Sequence, residues 1–444
     1  MTDRVATLIH RHFDLAGGEL QIGDIAVSQL AERYGTPLYI YDARVLERKW
    51  QLLRGTLPAE FTVAYSVKAN PNPALLEYFL AKQCDLEIAS AGEFHCALRA
   101  GCAPSRILFA GPGKTQAELE LVIKEGIGEI HAESLTEIRR ISGIADRLGT
   151  RVPVAIRVNP GAGAQGGAMR MGGKPAPFGI DEEALDGVLD ALLSTPSIDF
   201  HGIHLFAGTQ ILDHTVLISQ YRKGLEIAER VANRIGSPLR TVDFGGGLGI
   251  PYFEGEHELD MDRLREEVAS VMTEARARSV FSGTRFIVEP GRYLVGEAGI
   301  YVARVTDVKV SRGKRFLVLD GGMNHHLAAS GNLGQVIKRN FPIGLVNRLD
   351  DSLVEPVDVV GPLCTPLDTL ARDVRLPHAQ VGDLIGVFQS GAYGRSASPL
   401  SFLSHPAPPE VLVAGGVDRL IRSRGTNEDV LRDVPGYRGQ GERI

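Results

Sequence analysis

Residues 61–90 read FTVAYSVKANPNPALLEYFLAKQCDLEIAS. A β-rich run over 61–67 gives way to helix-like apolar spacing over Ala74–Lys82, and a second β-rich run follows over 84–90. The first run is nearly continuous in apolar residues, as expected of a parallel strand covered on both faces. The alternation continues. Further β-rich runs lie at 106–111, 129–134, 152–158, 200–208, 240–247 and 285–291, with helical patterns at 93–100, 116–125, 135–148, 182–193, 218–235 and 261–279 between them. Eight strands separated by seven helices predict an α/β fold, a (β/α)8 barrel, whose usual size of about 250 residues matches this span. An open doubly wound sheet gives the same repeats and is the competing fold.

Beyond Gly299 the rhythm changes to β-like runs with almost no helix, among them IYVARVTDVKV, RFLVLDGG, EPVDVVGPL, DLIGVFQSGAY and PEVLVAGG. These predict a second, all-β domain of Greek-key-like barrel or sandwich type. The division expected is a segment over 1–40 that joins the β domain, a barrel over 41–290, the β domain over 291–425 and a loose tail over 426–444. The stretch LQIGDIAVSQLAERYGTPLYIYD (20–42) is placed to add a strand to the β domain.

Composition bounds the function. With 44% hydrophobic residues among 444, the chain has ample material for a core and is not a disordered linker. Net charge is −6, without a basic stripe, so nucleic acid is not an expected partner. The four cysteines, Cys84, Cys96, Cys102 and Cys364, form no CxxC pair and no disulfide framework. The opening MTDRVATLIHRHFD lacks a signal-peptide core, and no run reaches the ~18 apolar residues of a membrane span. A cytoplasmic protein without membrane contact is expected. The 51 glycines follow no fibrous period, so they must serve turns or ligand approach.

In a barrel, chemistry sits at the C-terminal ends of strands. Those ends carry Lys68, Ser90, Gly111, Glu133, Asn159, Gly208, Gly245, Gly246, Gly247 and the run Glu289-Pro-Gly-Arg292. Loops after strands seven and eight commonly bind phosphate, and glycines let backbone amides approach it. A plain glycine-rich turn is the alternative. Gly245–Gly249 is not GxGxxG, because Ile250 takes the third glycine position, and Gly111-Pro-Gly-Lys-Thr115 lacks the first glycine of a P-loop. A strand-end lysine such as Lys68 is ordinarily solvated. Beside a phosphate cradle it becomes a candidate for bonding an aldehyde, since a desolvated lysine has a lowered pKa. Pyridoxal 5′-phosphate carries both groups, and Glu289 is placed to pair with its ring nitrogen. No metal is expected: His325-His326 has no third ligand at metal spacing, so the pair is read as a polar lining of the site.

Tyr65-Ser-Val-Lys-Ala-Asn70, Gly245–Gly247, Glu289-Pro-Gly-Arg292, Gly361-Pro-Leu-Cys364 and Gly391-Ala-Tyr393 together resemble the alanine-racemase-like, fold type III pyridoxal-phosphate decarboxylases. This group includes the diaminopimelate, ornithine and arginine decarboxylases, and the likeness runs over roughly 25–425. It implies an amino-acid decarboxylase working as a homodimer with shared active sites. Residue by residue, it implies that Lys68 is the Schiff-base lysine and Glu289 the partner of the pyridine nitrogen. It further implies that Gly247, Gly291 and Arg292 hold phosphate and that Tyr393 contacts it. Cys364 would protonate the substrate carbon from the second subunit, with Asp368 in the same cross-dimer loop. Arg292, Asp368 and His325 are the expected substrate contacts.

The departures narrow the substrate. Diaminopimelate decarboxylases follow the cysteine with Glu-Ser, where this chain has Thr365-Pro366. They also carry Arg-Pro-x-Leu-Tyr after Gly-Met-Asn to grip a distal carboxylate, where this chain reads Met323-Asn-His-His-Leu-Ala-Ala-Ser330. The family's ring-stacking histidine is replaced by Phe206, which can stack but cannot donate a proton. These changes, with Met171-Gly-Gly, resemble a subgroup typified by the butirosin-pathway decarboxylase of a glutamyl-carrier protein and by exosortase-associated relatives. The resemblance thus implies an acyl carrier protein as partner. Diaminopimelate decarboxylation, racemisation and a non-catalytic cofactor carrier or regulator stand as alternatives. Racemases pair an arginine with the ring nitrogen, and silent relatives lose the cysteine, so Glu289 and Cys364 favour decarboxylation.

Overall fold

A computed structural model describes residues 3–161, 169–170, 175–206, 208–335, 337–350 and 353–436. The Met171-Gly-Gly motif and the last eight residues of the expected tail lie outside them. The chain divides into two units, Trp50–Ile250 with His257–Tyr293, and Met1–Lys49 with Pro251–Glu256 and Leu294–Ile444.

The first unit is the barrel. Its strands are β1 (Phe61–Ser66), β2 (Asp85–Ile88), β3 (Ile107–Phe109), β4 (Glu129–Ala132), β5 (Val152–Asn159), β6 (Ile198–Leu205), β7 (Thr241–Asp243) and β8 (Arg285–Val288). Each pairs in parallel with the next, and β8 returns to β1 with Phe286 opposite Phe61. The sheet is therefore closed, and the open doubly wound alternative is excluded. Seven helices alternate with the strands: α1 (Pro73–Ala81), α2 (Ala91–Arg99), α3 (Gln116–Lys124), α4 (Leu135–Leu148), α5 (Leu185–Leu193), α6 (His214–Ile235) and α7 (Met261–Arg276).

Local chemistry starts these helices where the barrel needs them. Asn72, Ser90, Ser134, Asp213 and Asp260 each accept a hydrogen bond from a first-turn amide, and Thr115 forms a reciprocal capping box with Glu118. Such caps satisfy amides that would otherwise be orphaned, each worth about 1 kcal/mol. The caps of α1 to α4 follow closely on β1 to β4, so the turn that ends each of these strands also starts a helix and holds the strand-end residues in place.

The second unit is a sheet domain. Thr369–Pro377, Val354–Val360, Lys314–Leu319, Gly299–Ser311, Leu38–Asp42, Glu410–Ala414 and Val417–Arg422 lie side by side in that order, with Leu384–Val387 paired to Gly299–Ser311 and Ile343–Leu345 paired in turn to Leu384–Val387. Leu38–Asp42 pairs antiparallel with Gly299–Ser311 and parallel with Glu410–Ala414, so the N-terminal stretch supplies a central strand. The unit is not purely β: it includes the helices Asp3–His12 and Val27–Tyr34. No described helix is long and apolar enough to cross a membrane.

Candidate active site

The barrel brings Lys68, Phe206, Gly245–Gly247, Glu289, Gly291 and Arg292 together at one end of its strands. Lys68 lies on a short 3-10 turn, Val67–Ala69, directly after β1. Val67 and Ala69 are fully buried, so the turn is anchored on both sides of the lysine. The lysine is not desolvated as the sequence suggested. Its side chain is 39% exposed, and Nζ lies 2.8 Å from Glu87 Oε2. Ser66 also donates to that carboxylate oxygen. Nζ lies 5.8 Å from the centroid of the Phe206 ring, which faces the Arg157 guanidinium at the same distance.

The glycines are required for two reasons. A Cβ on Gly246 would fall 2.5 Å from the Glu289 carbonyl oxygen, so strands β7 and β8 approach too closely there for any side chain. Gly247 adopts φ +112°, a left-handed conformation that favours glycine. The Gly245 amide is already committed, donating to Asp243 Oδ1 at 2.8 Å. Among the described residues, the amides of Gly246, Gly247 and Gly291 have no acceptor, which leaves three donors for an anion.

Glu289 is 4% exposed, and its Oε1 has no hydrogen-bond partner. Its other oxygen lies 3.2 Å from His204 Nε2, and Oε1 lies 3.8 Å from His131 Nδ1. The two imidazoles stack with centroids 4.2 Å apart. Burial drives His204 down to about 4, so at neutral pH it faces Glu289 as an uncharged ring. Asp243 sits against the same pair; burial and the Glu289 charge push its carboxyl well above the ordinary range. Burial also disfavours charge on Glu289, but the neighbouring imidazoles and Lys68 outweigh it and hold the group low. Of the two facing carboxyls, Asp243 is the one pushed toward holding a proton and Glu289 the one pushed toward charge. An orphaned, ionised carboxylate oxygen and three vacant amides fit pyridoxal phosphate, the first at its ring nitrogen and the second at its phosphate.

Below this pair the polar column continues. His131 Nε2 lies 3.2 Å from Glu129 Oε1, and Glu129 Oε2 is met by His201 Nδ1 at 3.0 Å and by the Thr241 hydroxyl at 2.8 Å. Burial raises the Glu129 carboxyl, but hydrogen bonding to His131 and His201 prevails and brings it down to about 2. A depressed carboxylate stabilises the fold above its unfolded pKa of about 4.3, and that stability is lost as pH falls through the folded value. Glu129→Gln is therefore expected to flatten the stability-versus-pH curve between about pH 4.5 and pH 2. Urea unfolding across that range measures it, and a slope equal to the wild type's would overturn the assignment.

His131, Asp243, Glu87, Glu133 and Arg157 complete the site, although the sequence marked only Glu133, as a strand end. Arg157 Nη1 lies 2.7 Å from Glu133, whose carboxylate accepts from the Gly111 and Gly179 amides. Burial raises the Glu133 carboxyl, but Arg157 and Lys114 prevail and hold it low. Titratable residues inside buried barrel strands were the available signal, as at Glu129 and His131 in EIHA and Asp243 in TVD. His131, His204, Asp243 and Glu289 also place ligand-type atoms within 4.8 Å of one another. Spacing rules miss such a set because each member comes from a different strand.

The remaining expected site residues belong to the sheet unit. Cys364 is exposed, and Tyr393 holds a left-handed φ of +54° in the Gly391–Gly394 turn. Asp368 is not free to meet a substrate: it is 2% exposed, and its oxygens accept from the Met323 and Leu363 amides at 2.6 and 2.8 Å. It ties two loops together. His325 and His326 do not form a polar lining either, being 1% and 0% exposed. His325 meets Asn324 Nδ2 at 3.1 Å, and His326 meets the Ser390 hydroxyl at 2.9 Å beside Tyr39 and Tyr301. Burial pushes them down to about 4 and about 3.

Comparison with known proteins finds relatives over most of the chain. Residues 43–296 match the family described as pyridoxal-dependent decarboxylase, pyridoxal binding domain. The L-glutamyl-[BtrI acyl-carrier protein] decarboxylase of Niallia circulans is 39% identical over 93% of this chain and 96% of its own. The diaminopimelate decarboxylase of Zymomonas mobilis is 32% identical over 95% of this chain and 98% of its own. A crystal structure of diaminopimelate decarboxylase from m. jannaschi superposes with a TM-score of 0.87 at 26% identity, covering 96% of this chain and 98% of that one.

Proposed function

We propose, from the premise that this chain belongs to the pyridoxal-dependent decarboxylase family, that it removes the α-carboxylate of an amino acid whose distal end is tethered to an acyl carrier protein. Pyridoxal phosphate is its cofactor and decarboxylation its reaction. The tethered substrate, a cytoplasmic location and a homodimer with shared sites are our reading.

One observation carries the substrate assignment. The run Met323–Ser330 offers no cation: its two imidazoles are buried and held neutral, and the residues after them are Leu327, Ala328, Ala329 and Ser330. Within that run a free distal carboxylate would find no charge partner, and an unpaired buried charge costs several kcal/mol. A thioester has no such charge. The glutamyl-carrier activity named for the Niallia circulans relative points the same way.

Bound pyridoxal phosphate supplies an electron sink for the carbon that loses carbon dioxide. The amides of Gly246, Gly247 and Gly291, with Arg292 and Tyr393, hold the phosphate. Lys68 would hold the aldehyde group through Nζ, and as a free amine it would be able to move a proton. Glu87 positions Nζ. Phe206 would cover the cofactor ring and exclude water. Glu289 Oε1 would accept from the ring N–H, and its charge would keep that proton in place. Cys364 of the partner subunit would deliver the proton to the α-carbon after carbon dioxide departs.

The test is carbon dioxide release from a glutamyl-carrier thioester, meso-diaminopimelate, ornithine, lysine, arginine and glutamate. The carrier thioester is expected to exceed diaminopimelate by about 10²-fold or more in kcat/KM, the equivalent of about 3 kcal/mol for one missing charge pair. Turnover of diaminopimelate at an ordinary enzymatic rate would sink the assignment.

A further inference from the structure

The sheet unit contains a cleft of about 800 Å³ that takes no part in the chemistry above. Its floor is laid by Val354, by Thr369–Arg375 and by the Phe341–Ile343 segment, and Tyr252 and Phe253 form an aromatic wall. Its rim is basic. Arg4, Lys338, Arg339, Arg372 and Arg375 line it against only two acids, Glu254 and Asp373, in a chain whose net charge is −6. Asp373 is already paired with Lys314 at 3.1 Å. Arg339 is fixed over the Phe253 ring, 3.8 Å from its centroid, and pairs with Glu256 at 3.1 Å.

Arg4 donates to the Pro251 carbonyl and faces Glu297 at 3.9 Å, and Arg372 reaches the Thr369 hydroxyl at 3.5 Å. Among the described residues, Lys338, Arg372 and Arg375 have no carboxylate partner. The rim is nonetheless built: Asn340 Nδ2 donates to the Arg372 carbonyl at 2.7 Å, and the Arg372 amide returns a bond to Asn340 Oδ1 at 3.0 Å. Lys338 is held by Asn332 Oδ1 at 2.6 Å. Unpaired guanidinium groups over an aromatic wall suit a phosphate joined to a slender, partly apolar chain. The volume is that of a small-molecule site.

We propose that this cleft receives the phosphopantetheine arm of an acyl carrier protein, with Arg372 and Arg375 on its phosphodiester and the basic rim drawing in an acidic carrier. The inference rests on the tethered-substrate reading above and adds where the tether binds. Charge of this kind acts mainly on association and is screened by salt.

The experiment compares two substrates of the holoenzyme, a glutamyl-carrier thioester and the truncated glutamyl N-acetylcysteamine thioester, which has no phosphate. For Arg372→Glu combined with Arg375→Glu, KM for the carrier substrate is expected to rise at least about 30-fold and its salt dependence to flatten. Turnover of the truncated thioester should change by less than about twofold, with the same mass by light scattering. Unchanged KM for the carrier substrate overturns the proposal. Should the double reversal fail on both substrates, the neutral pair Arg372→Gln and Arg375→Gln decides: a selective rise in carrier KM of about fivefold or more supports the cleft, and none overturns it. Failure of the tethered-substrate reading looks different, because the wild type itself would then release no carbon dioxide from the carrier thioester.

Discussion

Lys68→Ala abolishes decarboxylation, lowering kcat by at least about 10³-fold, and removes the visible absorbance of lysine-bound cofactor. The side chain is irreplaceable on geometric grounds. It leaves a turn whose neighbours Val67 and Ala69 are fully buried, and Glu87 holds Nζ at 2.8 Å. An added small amine such as methylamine should restore part of the rate, because the variant leaves space where the amine stood. Binding of the phosphate by Gly246, Gly247 and Gly291 does not depend on the lysine, so the variant should still take up cofactor, released again by dialysis. A variant that keeps its absorbance and its rate would sink the assignment.

Glu289→Gln is expected to lower kcat by about 10²- to 10³-fold, the usual loss when a preorganised charge partner is removed from a dry site. The amide keeps the shape of the carboxylate and loses its charge. Glu289 Oε1 has no hydrogen-bond partner in the protein, which leaves that oxygen able to accept from a bound group. A second readout needs no turnover. The Glu289 charge is one reason the Asp243 carboxyl lies well above its ordinary range, the first being burial. In Glu289→Gln that charge is gone, so the Asp243 titration, followed by carbon-13 NMR of the apoenzyme, should move downward. Unchanged kcat together with an unmoved Asp243 titration would show that Glu289 is not the charged partner.

Much of the molecule was legible in the sequence. Each barrel strand falls on a predicted run, and all seven helices fall on predicted ones, because strand and helix periods are local properties of side-chain order. The glycines at Gly245–Gly247 and the residues Lys68 and Glu289 stood out for the same reason: position at a strand end can be counted along a chain. The sheet domain was legible in outline, including the contribution of Leu38–Asp42. Its strands Thr369–Pro377 and Val417–Arg422 went unmarked, since charges interrupt them at Arg372, Asp373, Asp418 and Arg419.

What the sequence by itself determined is the alternation of strands and helices, the set of strand-end groups, and the missing clamp for a distal carboxylate. What only tertiary structure decided is the state of those groups. Closure of the sheet gathers His131, His204 and Asp243 around Glu289 from four different strands. Burial then leaves His204 and His325 uncharged, and the two facing loops commit Asp368 to backbone amides. Charge and hydrogen bonding depend on distances through space, and no pattern of spacing along a chain contains those distances.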